Sequence, residues 1–430
     1  MRHQAPQRPL LGCDSANAAR IVHVTDCYLP RTGGIETQVR ALAERQHLRG
    51  HDVKVVTLTA PGAEKAVPST AEQVIRFGHD TARRGSISYS SFPAGPRWIQ
   101  HHGADVVHIH ASSFSPLAFA TARAAARLGI PTVVTVHSLW NRSTPLFAIA
   151  DQLTGWAAWP VAWSAVSQRA AVALRRILPD QTPVTVLANG VEPVEWSPAH
   201  PSADRRRLRI VTVGRLARRK RLRPLTRMLQ RAQQALGSAC RLEVTIIGEG
   251  PARPRIERFL HRSGMQHTVA LTGAMAQGDV AAALAGSDLY VAPARLESFG
   301  IAALEARCAG LPVLAMAHTG IEEFITHGVD GWLVDGDDDM TAKIVELASN
   351  RSELLSVAHH NRTYPPAITW STVLDTCDQL YYQAGAPSFA HPSQSSLPPA
   401  PGIAAMADSD VAPGHTPELG RHLPVAAESR

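Results

Sequence analysis

Cysteine is scarce: Cys13, Cys27, Cys240, Cys308 and Cys377 are the five in 430 residues. They are odd in number, widely spaced and form no C-x-x-C pair, which argues against a disulfide framework and a zinc site and suits a reducing cytoplasm. No run of about 18 apolar residues occurs, so no membrane-spanning helix is expected. The nearest stretch, 145–163, is broken by Asp151, Gln152 and two prolines. The string Leu10-Leu11-Gly12-Cys13 resembles a lipoprotein cleavage site but lacks a preceding apolar region. A third glycine is also missing: Gly248-Glu249-Gly250 follows a strand-like run, but Arg253 stands at the next glycine position and Pro251 intervenes, a poor match to an NAD fingerprint. Aromatics make up 5% of the chain, and none interleaves the arginine-rich stretch 205–231, which matches no nucleic-acid reader module.

What is present is charge and rhythm. A net charge of +7 attracts polyanions, whether nucleic acid, anionic lipid or phosphorylated ligands. From Arg20 onward short β-branched runs alternate with longer helical patterns, as parallel sheets covered by helices require. Strands are expected at 21–25, 53–58, 74–77, 105–109, 132–136, 164–166 and 184–187, with a helix at 36–48. A second series follows at 209–213, 242–247, 269–271, 288–291 and 312–314, with helices at 224–236 and 299–309. The division is a disordered leader 1–18, a first Rossmann-like domain 19–195, a linker 196–207, a second Rossmann-like domain 208–367, a helix 368–384 returning to the first domain, and a disordered tail 385–430. Two such domains face each other across a cleft, with chemistry on the loops after the strands.

Several segments carry that chemistry. In Glu297-Ser298-Phe299-Gly300-Ile301, Ser298 suits an N-cap, and the amides of Phe299, Gly300 and Ile301 suit a diphosphate. Glu305 lies two turns further on, so Glu297 and Glu305 would flank a ligand roughly 10 Å long, or else merely complement the helix dipole. Arg215 and Lys220 follow a strand ending in Gly214 and would neutralise a departing diphosphate, or form part of a solvated basic linker. Gly248 and Gly250 would border the nucleotide pocket, or simply turn the chain. Gly34, in a Gly-rich loop before the first helix, and His137, at a strand end, face the cleft or are structural. His108 and His110 share a strand face, but no third metal ligand is evident, so packing or hydrogen bonding is the favoured role. Asp335, Asp337, Asp338 and Asp339 are read as helix capping.

The ordered set TGGIE, VTVH, VLANGVEP, VGRLARRK, IIGEGP, ESFGIAALEARCAGLPVLA and TGIEEFITHGVDGWLV resembles the family 4 glycosyltransferases, retaining enzymes of the GT-B fold. The resemblance runs from about residue 20 to 383. It implies transfer of a hexose from a nucleotide-diphosphate sugar, UDP- or GDP-linked, to a hydroxyl acceptor such as a lipid or glycan precursor. By position it implies Arg215 and Lys220 on the diphosphate, Glu305 on the ribose and Glu297 on the donor sugar. Ser298, Phe299, Gly300 and Ile301 would line the phosphate site, with Gly34 beneath the reacting sugar and His137 opposite. No essential metal or cofactor is implied. Arg221 stands where the family usually has glycine, and Thr319-Gly320 where it often has Gly-Gly. Cytoplasmic work at an anionic membrane surface is a further expectation, with Trp140, Trp156, Trp159, Trp163, Arg83 and Arg84 as contacts or the tryptophans as core. A same-fold nucleotide-sugar epimerase and a basic nucleic-acid binder are the alternatives.

Overall fold

The protein, represented by a computed structural model, is described over residues 18–389 apart from 62–72, 79–85, 141–146 and positions 148, 150, 153, 197 and 203. Arg83, Arg84, most of the expected leader and nearly all of the expected tail lie outside the described residues. The first series is β1 Arg20–Thr25, α1 Gly34–Leu48, β2 Asp52–Thr57, β3 Gln73–Arg76, α2 Ala94–His102, β4 Val106–Ala111, α3 Pro116–Arg127, β5 Thr132–Val136, β6 Ala162–Ala165, α4 Gln168–Arg175 and β7 Val184–Val186. The second is β8 Arg207–Val213, α5 Leu222–Leu236, β9 Arg241–Ile247, α6 Arg253–Arg262, β10 Val269–Gly273, α7 Gln277–Ala285, β11 Leu289–Ala292, α8 Ile301–Cys308, β12 Val313–Met316, β13 Gly331–Val334, α9 Asp337–Ser349 and α10 Arg351–Thr363. Helix α11, Trp370–Gln383, follows.

The strands form two sheets, ordered β3-β2-β1-β4-β5-β6-β7 and β10-β9-β8-β11-β12-β13, and the named strands pair in parallel throughout. Parallel strands need crossovers, and helices on both faces supply them, which is why β4 (VVHIHA) and β5 (TVVTV) are buried at every residue. In both sheets the strand order reverses beside the first strand, the place where doubly wound folds open a crevice. Strand β13 was not foreseen, because its four residues follow directly on a turn.

Helix α11 lies over the first sheet rather than the second: Leu374, Cys377 and Tyr381 share a core with Ile21, Val106 and Val133. Arg49, the C-cap of α1, holds Asp378 at 2.9 Å and Asp375 at 3.2 Å, and the Arg45 guanidinium stacks 4.5 Å from the Trp370 ring. Thr369 and Thr372 cap the helix reciprocally, so that it runs from Trp370 to Gln383 within the expected 368–384. The fold continues past 385, where the tail was expected to begin, because Phe389 packs edge-on against Tyr381.

The second domain contains a buried ion pair. The Arg307 guanidinium donates to Asp330 Oδ1 at 2.6 and 3.0 Å and to the carbonyls of Asn361 and Tyr364 at 3.1 and 2.7 Å, tying α8 and α10 to the turn before β13. Replacing Asp330 by Ala leaves that cation buried and uncompensated, and is expected to lower stability by about 3–5 kcal/mol in urea unfolding. A loss under about 1 kcal/mol would mean that the pair is solvated and is not what joins these elements.

Candidate active site

The loops after β8 and β9 are zipped together through backbone. Gly214 N donates to Ile247 O at 3.0 Å, Leu216 N to Glu249 O at 2.8 Å and Ala252 N to Leu216 O at 2.8 Å. A Cβ on Gly248 would lie 2.1 Å from Gly214 O and one on Gly250 2.5 Å from Leu216 O, both at positive φ. The G-x-G is therefore required for loop docking. This holds the basic loop in place: Arg215 is exposed, and Lys220 reaches Glu297 Oε2 at 2.5 Å.

Arg221 takes φ +55, the left-handed conformation a glycine would adopt freely. Its guanidinium grips both Asp337 oxygens at 2.8 and 2.9 Å and Pro293 O at 3.3 Å, so side-chain bonds offset the backbone strain. Thr319 needs no glycine, since its φ is −124; the crowded position is Gly320, whose Cβ would lie 2.1 Å from Ser298 O. The acidic run does not supply the expected cap: the N-cap of α9 is Gly336 with no side-chain capping bond, and Asp337 instead meets Arg295 as well, at 3.2 Å, while Asp338 meets Arg231 at 2.5 Å.

Ser298 is not the N-cap of the following helix. Gly300 turns the chain at φ +95, α8 starts at Ile301 rather than 299, and Gly300 occupies the cap. Ser298 Oγ instead donates to His137 O at 2.8 Å, bridging the two domains. Phe299 is buried against Phe324, ring centroids 5.4 Å apart. Among the described residues the amides of Phe299, Gly300 and Ile301 meet no acceptor.

Glu305 sits in the second turn of α8, where burial pushes its carboxyl up to about 8, aided by the Glu195 carboxylate. No hydrogen bond or ion pair reaches it among the described residues. Tyr290 of β11 lies close enough to feel both Glu305 and Glu297; its hydroxyl donates to Val213 O at 3.3 Å, and burial first, then Glu305, push its pKa up. From the first domain, Gly34 begins α1 opposite Ile301: a Cβ there would lie 3.1 Å from Ile301 Cδ1. Glu323 Oε1 accepts from Gln168 N at 2.8 Å, a second polar bridge between domains. Arg215, Lys220, Glu297, Ser298, Phe299, Gly300, Ile301 and Glu305 thus lie on adjoining loops and one helix start, with Gly34 and His137 facing them.

His108 and His110 do gain a third member, His23 of β1, which pairs in register with His108. The three offer ring nitrogens within 4.8 Å of one another, a grouping that could hold a metal ion. All six of these nitrogens already have hydrogen-bond partners, however, so a metal would have to break that network. His23, Tyr290 and Glu195 escaped the sequence reading because only strand register and packing bring them in. Trp140, Trp156 and Trp163 are buried at 1–3% exposure in the first core and are not surface contacts. Several arginines of the 205–231 stretch are held by acids, as in Arg209–Asp288 at 2.7 Å, which leaves less free charge for nucleic acid.

Two facing parallel α/β domains, the second bearing an acidic and a basic loop that meet through Glu297 and Lys220, define the GT-B class. Anabaena Alr3699/HepE, solved in complex with UDP and glucose, matches 84% of this chain and 98% of its own with a TM-score of 0.68 at 16% identity. A family model described as Glycosyltransferase Family 4 matches residues 32–195, and one described as Glycosyl transferases group 1 matches 207–350. One component of the human phosphatidylinositol N-acetylglucosaminyltransferase is 26% identical over 71% of this chain and 63% of that protein, so the chain spans less than two thirds of that relative's length. A Mycobacterium tuberculosis GDP-mannose-dependent alpha-(1-6)-phosphatidylinositol monomannoside mannosyltransferase is 26% identical over 83% of this chain and 96% of that protein. The chain belongs to the family 4 glycosyltransferases. No helix among the described residues is long and apolar enough to cross a membrane.

The raised Glu305 pKa predicts a pH dependence. The folded protein keeps this proton up to about pH 8, whereas the unfolded chain releases it near 4.5, so its contribution to stability is complete below 4.5 and falls as pH rises towards 8. Glu305→Gln removes that fall. Urea unfolding at pH 5 and pH 8 should show wild type losing more stability than the variant; parallel losses would contradict the burial of this carboxyl.

Proposed function

We propose that the protein transfers a hexose from a nucleoside-diphosphate sugar, seated on the second domain, to a hydroxyl acceptor against the first, retaining the anomeric configuration. The observation that carries this reading is the 2.5 Å Lys220–Glu297 pair together with the half-buried Glu305, whose carboxyl has no hydrogen-bond or ion-pair partner among the described residues. Lys220 with Arg215 meets the diphosphate, and Glu297, freed from Lys220, takes sugar hydroxyls. The amides of Phe299, Gly300 and Ile301 receive phosphate oxygens, beside Ser298 and the turn formed by Gly248 and Gly250. Gly34 leaves room beneath the sugar, and His137 faces it.

The reaction breaks the bond between the anomeric carbon and the diphosphate oxygen, which keeps the electron pair. The acceptor oxygen forms the new bond on the same face, and its proton passes to the leaving phosphate. Lys220 and Arg215 stabilise the charge that develops there. The named relatives act on phosphatidylinositol compounds, which supports a lipid-linked hydroxyl acceptor and work at an anionic membrane surface. The name of the GDP-mannose-dependent relative and the UDP complex of Alr3699/HepE support UDP or GDP as the donor's nucleotide. The free cysteines support a cytoplasmic setting.

Ribose hydroxyls donate to a carboxylate better than to a carboxylic acid, so nucleotide binding should draw the proton from Glu305. Calorimetric titration with UDP, GDP, ADP and their hexose conjugates, in buffers of different ionisation heat, should show one base binding with proton release. Glu305→Ala should weaken that binding at least about tenfold, as loss of hydrogen bonds to a charged group of about 1.5–3 kcal/mol implies. Lys220→Ala should lower kcat by about 100-fold or more. Absence of nucleotide binding by the folded wild type would remove the basis of this reading.

A further inference from the structure

Four histidines and a glutamine form a continuous buried network between the first sheet and the helices α1 and α11. His137 Nε2 lies 3.0 Å from His110 Nδ1, His110 Nε2 lies 3.0 Å from His23 Nδ1, and His23 Nε2 lies 2.6 Å from Gln46 Oε1. Gln46 Nε2 continues to Tyr381 Oη at 2.9 Å and approaches Cys377 Sγ at 3.6 Å. Tyr381 Oη then meets His108 Nδ1 at 2.9 Å, and His108 Nε2 meets Thr135 Oγ1 at 2.7 Å. Thr135 reaches Ser164 Oγ at 2.6 Å, and Ser164 Oγ reaches Val134 O at 3.4 Å.

A neutral imidazole has one donor and one acceptor nitrogen, so each link sets the next. The far end fixes the direction. Val134 O only accepts, so Ser164 donates to it, Thr135 to Ser164, His108 Nε2–H to Thr135, and the Tyr381 hydroxyl to His108. Tyr381 is then free to accept from Gln46, whose two amide hydrogens face Tyr381 and Cys377 and whose oxygen faces His23. His23, His110 and His137 must each carry their proton on Nε2. Reversing the chain turns the Gln46 amide over, leaving one hydrogen of a fully buried amide without an acceptor. Burial keeps the rings neutral: it pushes His23 and His137 down to about 4, and His108 and His110 well below the usual histidine range.

We propose that the Gln46–His23–His110 chain assigns His137 its tautomer, with Nε2 protonated and Nδ1 bare, so that His137 meets a ligand as a hydrogen-bond acceptor selecting a hydroxyl over a phosphate or carbonyl oxygen. Gln46, His23 and His110 are positioning residues that act through His137, and α11 supports them through Tyr381. No partner for His137 Nδ1 is present among the described residues, and its carbonyl holds Ser298 of the other domain. The choice of a sugar hydroxyl as the ligand group rests on the transferase reading; the tautomer does not.

The test is the imidazole nitrogen NMR spectrum of the full chain grown with isotope-labelled histidine, with His137 assigned by comparison with His137→Gln. In the wild type at pH 7, His137 should be neutral with its proton on Nε2. Gln46→Leu should populate the Nδ1-protonated form and lower kcat about tenfold or more, while the donor KM stays within about twofold. Gln46→Glu keeps an oxygen facing His23 and should restore both the tautomer and kcat. A proton on Nδ1, or a charged ring, in the wild type overturns the proposal without needing any variant to fold. An Nε2 proton undisturbed in folded Gln46→Leu overturns it as well. A protein with the expected tautomers that transfers no sugar retains the network and fails the function reading instead.

Discussion

Parallel strand pairing is the constraint from which the rest of this structure follows. A parallel strand cannot turn back on its neighbour, so each strand is followed by a crossover, and the loops leaving the strands share one edge of the sheet. In the second domain this brings Gly214, Gly248 and the loop after β11 side by side, although they lie far apart in the chain. In the first it brings Gly34 and His137 to the corresponding edge. The polar residues collect there because the faces of both sheets are covered by helices and apolar cores.

At that edge, close backbone approach matters as much as charge. Gly248, Gly250 and Gly320 sit where a single added carbon would overlap a neighbouring carbonyl, and they set the spacing of the loops that carry Lys220 and Glu297. Arg221 shows the same requirement met differently, its left-handed backbone offset by a bidentate bond to Asp337. The net positive charge is therefore partly structural: Arg209, Arg221, Arg231 and Arg307 each have a carboxylate partner. Arg215 remains exposed beside the Lys220–Glu297 pair, where a diphosphate would bring its own negative charge.

Most of the fold was legible because strands buried on both faces, such as β4 and β5, must be written as continuous apolar runs rich in β-branched residues; β13 (GWLV) went unread, being short and set in a turn. The start of α8 was misplaced because Ser298 has the chemistry of an N-cap, while Gly300 takes a positive φ against Ile321 of its own domain and the bond from Ser298 to His137 depends on the other domain. Trp140, Trp156 and Trp163 were ambiguous by type, and burial resolved them into core, with Trp159 half-buried against it. His108 and His110 were seen as neighbours, but His23 could join them only once β1 and β4 were in register.

The sequence by itself determined the class of fold, the order of its motifs and the residue types at the strand ends, since these follow from hydrophobic periodicity and from glycine and charge at fixed spacing. Only the tertiary structure decided which groups became partners. Lys220 found Glu297 across 77 positions and Gln46 found Tyr381 across 335, separations over which local sequence carries no information about contact. The protonation of Glu305 was decided there too, because a carboxyl's pKa depends on what surrounds it, and the surroundings are assembled by folding.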